Sequence, residues 1–397
     1  MTDYKKGLFF SRLKTVFGFI LKYLKKLDKA LLLAVMLIAA LSITLLYSMY
    51  KNGVGDVYLS TVKVQLIAVC GGIVAALIIA MIDYHILAKL WFIYTPIVLI
   101  LVVMTFFVGI QRAGADDKAW LDLGFTTIQP SELLKIAFIL TFAYHISKVE
   151  KRLNHPFHMA LLCIHGAFPL LLVVKQGDYG TAIIFLAIFV TMLFTSGLSW
   201  KYILAAAIIA PFAAVLAWTK IFGEVQKNRI LILFNPGTDP LGLEYQQDLG
   251  LATLGCGEVF GRGLFAPDGV EYKQVPEMKN DFIFAYLGQT LGYVGCLVFV
   301  VLMTYILLKI LADSRYCKDI LGKAICSGAF AILLTHFVLN VGMVMKIMPV
   351  IGVPLPFMSA GGTAVLSMFT LIGLVMSTYF YNEHKTAFFY DPEKNKK

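Results

Sequence analysis

The chain has 397 residues, of which 59% are hydrophobic and only 15% charged, and its mean hydropathy is +0.80. Water-soluble domains carry about 45–50% apolar and about 25% charged residues, so the apolar excess is more than a core of this length can hide. The net charge of +10 does not mark a nucleic-acid binder, because the basic residues gather in alternate connecting segments, the pattern that orients membrane proteins.

The first 29 residues hold Lys5, Lys6, Arg12, Lys14, Lys22, Lys25, Lys26 and Lys29 against two acids, which places them in the cytoplasm. Between residues 7 and 27, apolar positions such as Leu8, Leu13, Phe17 and Leu24 alternate with these bases. That spacing predicts a basic amphipathic helix on the membrane surface and not a cleavable signal peptide. A spanning helix needs about 20 apolar residues, and ten windows qualify: 30–49, 58–81, 87–109, 131–146, 156–174, 180–197, 201–220, 283–308, 323–345 and 359–380.

The expected fold is an all-α polytopic membrane protein with about ten transmembrane helices. A cytoplasmic segment, 1–29, precedes spans one to seven within 30–220. A large extracellular loop, 221–282, precedes spans eight to ten within 283–380, and a cytoplasmic tail covers 381–397. Counting from the basic N-terminus puts Lys148, Lys151, Arg152, Lys201, Lys309, Arg315, Lys318 and Lys323 on the cytoplasmic side. The loop 221–282 carries nine acids and five bases. It is too long for an ordinary connection and too apolar for a linker, so it is expected to fold back onto the membrane.

Cys70, Cys163, Cys256, Cys296, Cys317 and Cys326 show no metal-finger or redox spacing, and the histidines include no HExxH. His155 and His158 flank Pro156 in a basic connection and read as interfacial. The glycines of GCGEVFGRG at 255–263 follow no strand of a nucleotide fold; close backbone approach explains them better.

Ionisable residues inside spans are costly and mark function by default. Glu132 and Lys135 follow Pro130 and Ser131, a helix start, and their i, i+3 spacing puts both on one face. They form either a structural ion pair or part of a polar cavity, and Asp178, at the outer mouth of the sixth span, is a candidate third member with Lys135. Asp281 closes the outer loop immediately before an apolar run. A carboxylate at the edge of lipid is partly desolvated and more basic, which suits a general base for a sugar hydroxyl. The same position suits an N-cap of the eighth span, and spacing leaves both readings open. Trp120 is either a sugar-stacking ring or an interfacial anchor. Arg229, Arg262, Lys273 and Lys279 are candidate pyrophosphate ligands or solvated charges.

Several of these segments together resemble the SEDS family (shape, elongation, division and sporulation), of RodA/FtsW-like proteins, with the RodA-like type slightly preferred. The likeness is carried in order by WLDLGFTTIQPSELLK at 120–135, KQGDYGTA at 175–182, RILILFNP at 229–236, the glycine series, PEMKNDFIFAYLGQTLGYVG at 276–295, NVGM at 340–343 and PVIGVPLPFMSAGG at 349–362. Departures are Gly177 for the usual proline, Ala119 for an arginine, Gln289 and Thr290 for paired acids, Lys346 before Pro349, and Ala360 for a tyrosine.

The resemblance implies a peptidoglycan glycosyltransferase of the bacterial plasma membrane that polymerises lipid II on the outer face. Asp281 would be the family's essential aspartate. Trp120, Lys118, Glu132, Lys135, Asp178, Arg229, Arg262, Glu277, Lys279 and Ser359 would line the substrate site. No organic cofactor is implied; cationic side chains or a divalent ion, Mg or Mn, would neutralise the leaving pyrophosphate. Implied partners are a class B penicillin-binding protein, other elongation or division machinery, and membrane lipid. A lipid II flippase and a non-catalytic scaffold for the transpeptidase are the rival readings. The absence of matching halves speaks against a transporter, and a flippase has no need of an outer-loop carboxylate.

Overall fold

The computed structural model describes residues 26–111, 118–124, 127–235, 237, 242–265 and 272–383. The expected amphipathic helix of the N-terminus and the tail beyond residue 383 lie outside them. The protein is an all-α polytopic membrane protein. Its helices are α1 (Lys29–Lys51), α2 (Leu59–Met81), α3 (Tyr84–Lys89), α4 (Trp91–Val108), α5 (Pro130–Val149), α6 (Pro156–Gln176), α7 (Tyr179–Thr195), α8 (Trp200–Leu216), α9 (Glu224–Phe234), α10 (Leu243–Gly255), α11 (Ile283–Tyr316), α12 (Ile320–Val344) and α13 (Gly362–Glu383). A small antiparallel hairpin pairs Leu121 with Ile128 and Asp122 with Thr127.

Eight helices are long and apolar enough to cross a bilayer by length and composition: α1, α2, α4, α6, α8 with its continuation to Ile221, α11, α12 and α13. The two windows outside this set are helical as well. α7 is apolar but only 17 residues long, and α5 carries Glu132, Lys135 and Lys148 within its 20 residues.

Helix starts follow local chemistry. Pro130 and Pro156 occupy first-turn positions, where a missing N–H costs nothing. Asp28 caps α1 through the Leu31 N–H, and Asp178 caps α7 through that of Thr181. The third window differs from expectation. Asp83 caps the short α3, which ends at Leu90, and α4 restarts at Trp91, so residues 87–109 are not one helix.

In lipid, helices associate mainly through close packing at small residues. α2 and α13 illustrate this: a methyl group on Gly373 would sit 2.8 Å from the Ala76 backbone, and one on Gly72 would sit 2.7 Å from the Phe369 ring. α8 is the exception, since none of its residues is buried against the rest of the protein.

α11 is two helices in sequence. Gly292 has φ +65° and ψ −164°, a conformation open only to glycine. The break exposes backbone groups that the glycine series satisfies. The Arg262 and Gly263 N–H groups donate to the carbonyls of Gln289 and Thr290, at 2.9 and 3.0 Å. The Tyr293 and Val294 N–H groups donate to those of Glu258 and Val259, at 2.9 and 3.1 Å. A side chain on Gly261 would collide with the Thr290 carbonyl at 2.1 Å. The glycines thus serve backbone approach to a broken helix. The segment between α8 and α11 also docks through α10, where Gly250 lies under Phe282 and Gln247 donates to the Met343 and Met348 carbonyls.

Candidate active site

Asp281 sits one residue before Phe282, the cap position of α11, and Phe282 makes no side-chain capping bond. The Asp281 N–H donates to the carbonyl of Glu277 at 2.9 Å, closing a tight turn in which Glu277 has φ +54°. Asp281 itself is partly exposed.

Three consecutive carbonyls of this turn are held from outside. The Lys279 carbonyl accepts from the Ala360 N–H at 2.9 Å. That of Asn280 accepts from the Ser359 hydroxyl, and that of Asp281 from the Asn340 carboxamide at 2.8 Å. The proline-rich run 349–362 therefore grips the turn. Gly352, with φ +73°, lies where an added methyl would meet the Asp281 carboxylate at 3.7 Å. The run is anchored in turn by Gln65, which donates to the Ser359 carbonyl and accepts from the Gly361 N–H, and by Ser42, which donates to the Met358 carbonyl.

Glu132 and Lys135 form an ion pair at 2.8 Å with both side chains 2% exposed. The Ser367 hydroxyl of α13 donates to the other Glu132 oxygen at 2.8 Å. Lys135 makes its second bond to Nε2 of His336, at 3.0 Å. The ionisable residue bonded directly to the pair is thus His336, while Asp178 caps α7 and accepts from the Gln129 amide at 3.0 Å. Buried charges need such partners, because an unpaired one in lipid costs several kcal/mol or more.

Of the other expected residues, Glu277 and Lys279 belong to the same turn as Asp281. Glu277 accepts from the Asn280 amide at 2.6 Å, and Lys279 donates to the Asp56 carbonyl at 3.1 Å. The Trp120 carbonyl accepts from the Ile110 N–H, next to an exposed Lys118. Arg262 donates through Nε to the Cys256 carbonyl at 3.1 Å, at the Gly292 break, about 14 Å by helical rise from Ile283, the first residue of α11. Arg229 is half-buried on α9. Lys346 pairs with Asp248 at 2.5 Å and Glu244 at 3.7 Å, which ties α10 to the end of α12. Among the described residues no three carboxylate, histidine or thiol groups converge as a metal cage.

Sequence reasoning missed His336, Asn340, Gln65 and Ser367, all buried. The signal was present for His336, an ionisable residue inside an apolar window, under the rule that selected Glu132 and Lys135.

The profile of the cell cycle protein family that includes FtsW, RodA and SpoVE matches residues 25–384, and the chain belongs to that family. The peptidoglycan glycosyltransferase MrdB of Escherichia coli K12 is 33% identical over 295 residues, covering 74% of this chain and 78% of MrdB. The peptidoglycan glycosyltransferase RodA of Treponema pallidum is 27% identical and covers 88% and 96%. The stage V sporulation protein E of Bacillus subtilis is 28% identical and covers 89% and 95%. Two solved structures share the fold. One, from a peptidoglycan synthase complex that coordinates polymerization and crosslinking, has a TM-score of 0.75 at 23% identity, over 90% of this chain and 99% of that one. The other, the rod shape determining protein RodA of Thermus thermophilus, has a TM-score of 0.65 at 21% identity, over 90% and 97%.

Proposed function

We propose that Asp281 is the general base of a glycan polymerase that joins lipid-linked disaccharides on the outer face of the bacterial plasma membrane. The chain is a peptidoglycan glycosyltransferase acting in cell shape or division, as its family and relatives are. The observation that supports the residue assignment is the grip on three successive carbonyls at 279–281, which fixes a partly exposed carboxylate at the mouth of α11.

In the proposed step, the Asp281 carboxylate takes the proton from the 4-hydroxyl of the acceptor N-acetylglucosamine of lipid II. That oxygen forms a bond to the anomeric carbon of the muramyl sugar ending the growing chain. The bond from that carbon to the pyrophosphate oxygen breaks with inversion, and undecaprenyl pyrophosphate leaves with the electron pair. A pyrophosphate needs charge neutralisation more than a proton, so one carboxylate with cationic groups or a divalent ion suffices. Arg229, Arg262, Lys118 and Lys279 are the candidate cations for the pyrophosphate, and Trp120 offers a ring for a sugar. Glu132, Lys135 and Asp178 shape the intramembrane wall beside it.

The reading includes ten crossings with both termini cytoplasmic, residues 221–282 outside, and a crosslinking partner of the class B penicillin-binding type. General base catalysis contributes about 10²–10⁴-fold. Asp281→Asn keeps the shape of the side chain and should cut glycan synthesis from purified lipid II by at least about 100-fold, with the protein still inserted and folded. Normal polymerisation by that variant refutes the assignment. A cysteine in place of the exposed Lys273 should react with an impermeant thiol reagent on the outer face; protection there would refute the orientation.

A further inference from the structure

We infer that His336 is a positioning residue for Asp281, acting through the carbonyl of Pro354 and the amide of Asn340. The inference rests on the reading of Asp281 as the base. His336 and Asn340 are one helical turn apart on α12, so they share a face, and both are fully buried.

His336 Nδ1 lies 2.9 Å from the Pro354 carbonyl, and Asn340 donates to the Val353 carbonyl at 2.8 Å. Two neighbouring side chains of one helix therefore hold two neighbouring carbonyls of the run that grips the catalytic turn. Pro354 and Pro356 have no N–H, so this run cannot satisfy itself by forming a helix or a ladder.

The tautomer follows from the partners. A carbonyl only accepts, so Nδ1 carries the proton. Nε2 then presents its lone pair, and the Lys135 ammonium donates to it at 3.0 Å. His336 is thus a neutral bridge between the buried Glu132–Lys135 pair and residues 353–354. The same Asn340 amide that holds Val353 also holds the Asp281 carbonyl. A shift of the Pro354 carbonyl is therefore passed through the adjoining Val353 carbonyl and the two hydrogen bonds of Asn340 to the backbone of the base.

The two ring nitrogens can be removed separately. His336→Asn keeps a donor where Nδ1 stands and loses the acceptor for Lys135. His336→Gln places its amide near the Nε2 position and loses the Pro354 bond. If the Pro354 bond carries the positioning, His336→Asn keeps kcat within about threefold, whereas His336→Gln loses at least about tenfold in kcat with KM for lipid II within about twofold, since small misplacements of reacting groups have large costs. Hydrogen exchange provides a readout independent of activity. In His336→Gln the amides of Leu355, Ala360 and Gly361, which donate to Ser359, Lys279 and Gln65, exchange faster, while in His336→Asn they match the parent.

Wild-type turnover and exchange in His336→Gln overturn the inference, as does lost turnover in both variants, or lost turnover without faster exchange. Should His336→Gln not be recovered folded, His336→Asn decides alone: near-normal turnover and exchange support the Pro354 link, and their loss overturns it. Faster exchange in His336→Gln together with full activity in Asp281→Asn would instead sink the assignment of the base and leave the coupling standing.

Discussion

Asn340 suspends Asp281: one buried carboxamide donates to the Asp281 carbonyl and to the Val353 carbonyl, both at 2.8 Å. Helix α12 is thereby fastened to the turn 277–281 and to the proline-rich run at once. Asn340→Ala strands both carbonyls, and a buried acceptor left unsatisfied costs about 1–3 kcal/mol. The expected result is a lower thermal unfolding midpoint and a fall in glycan synthesis of at least about tenfold, read by a melting scan and lipid II polymerisation on the same preparation.

Glu132 and Lys135 are nearly inaccessible to solvent, so removing one leaves a buried charge without its counterion. Losses of about 3–5 kcal/mol follow from breaking such pairs, whereas replacing both partners is often close to neutral. Glu132→Gln and Lys135→Met should each reduce the folded fraction strongly, and the double variant should recover part of it. Size-exclusion profiles after a heating series measure this. A double variant worse than both singles would contradict a mainly mutual role.

Gly292→Ala meets two obstacles. The residue would be held at positive φ, a strain of about 1–3 kcal/mol, and its methyl would lie 2.4 Å from the Gly261 nitrogen. The segment 258–263 should detach from α11, with faster exchange at the Arg262 and Gly263 amides and a loss of stability. Gly71→Ala is the control, because open space surrounds that position and alanine favours helix by about 1 kcal/mol.

A polar latch lies at the other end of the molecule. His85 bonds Asp319 at 3.1 Å and Asp83 at 2.8 Å, and Tyr84 donates to Asp319 at 2.6 Å. The hydrogen bond to Asp319, then that to Asp83, raise the His85 pKa from its usual 6.5 to about 9. Burial pushes both carboxyls up, but their bonds to His85 outweigh it and hold them below the usual range. A raised histidine stabilises fully below its unfolded pKa and loses that contribution as pH climbs through the folded one. Depressed carboxyls contribute above their unfolded pKa and lose it in acid. The latch is thus complete just below pH 6.5, weakens toward about pH 9, and fails separately in acid. Melting midpoints should fall from pH 6.5 to 9 in the parent and stay flatter in His85→Gln.

The apolar windows gave the helices because length and hydropathy are local properties, and every window holds one. The break at Leu90 was hidden since Tyr84–Lys89 is apolar enough to read through. The break at Gly292 was hidden for a different reason: the backbone groups it frees are paired by the distant run 258–263. As a candidate, Asp281 was visible through its place at the edge of an apolar run. Its support was not, because Asn340, Ser359 and Ala360 act on backbone carbonyls, and no spacing rule links residues 280 and 359. Lys346, which interrupts the family's pattern, has a local explanation in Asp248 and Glu244 of α10.

No residue of α8 is buried and its contacts gather near its start, where Tyr202 donates to the Asn154 carbonyl at 3.0 Å, so its tilt in a bilayer answers to the thickness of the leaflets more than to packing. Its π-helical end, Ala217–Ile221, leads directly into residues 222–235, and the Ile221 carbonyl accepts from the Tyr179 hydroxyl beside the Asp178 cap. Thicker or thinner lipid would swing this one rod while the interlocked helices keep their places, so membrane composition acquires mechanical purchase on residues 222–235.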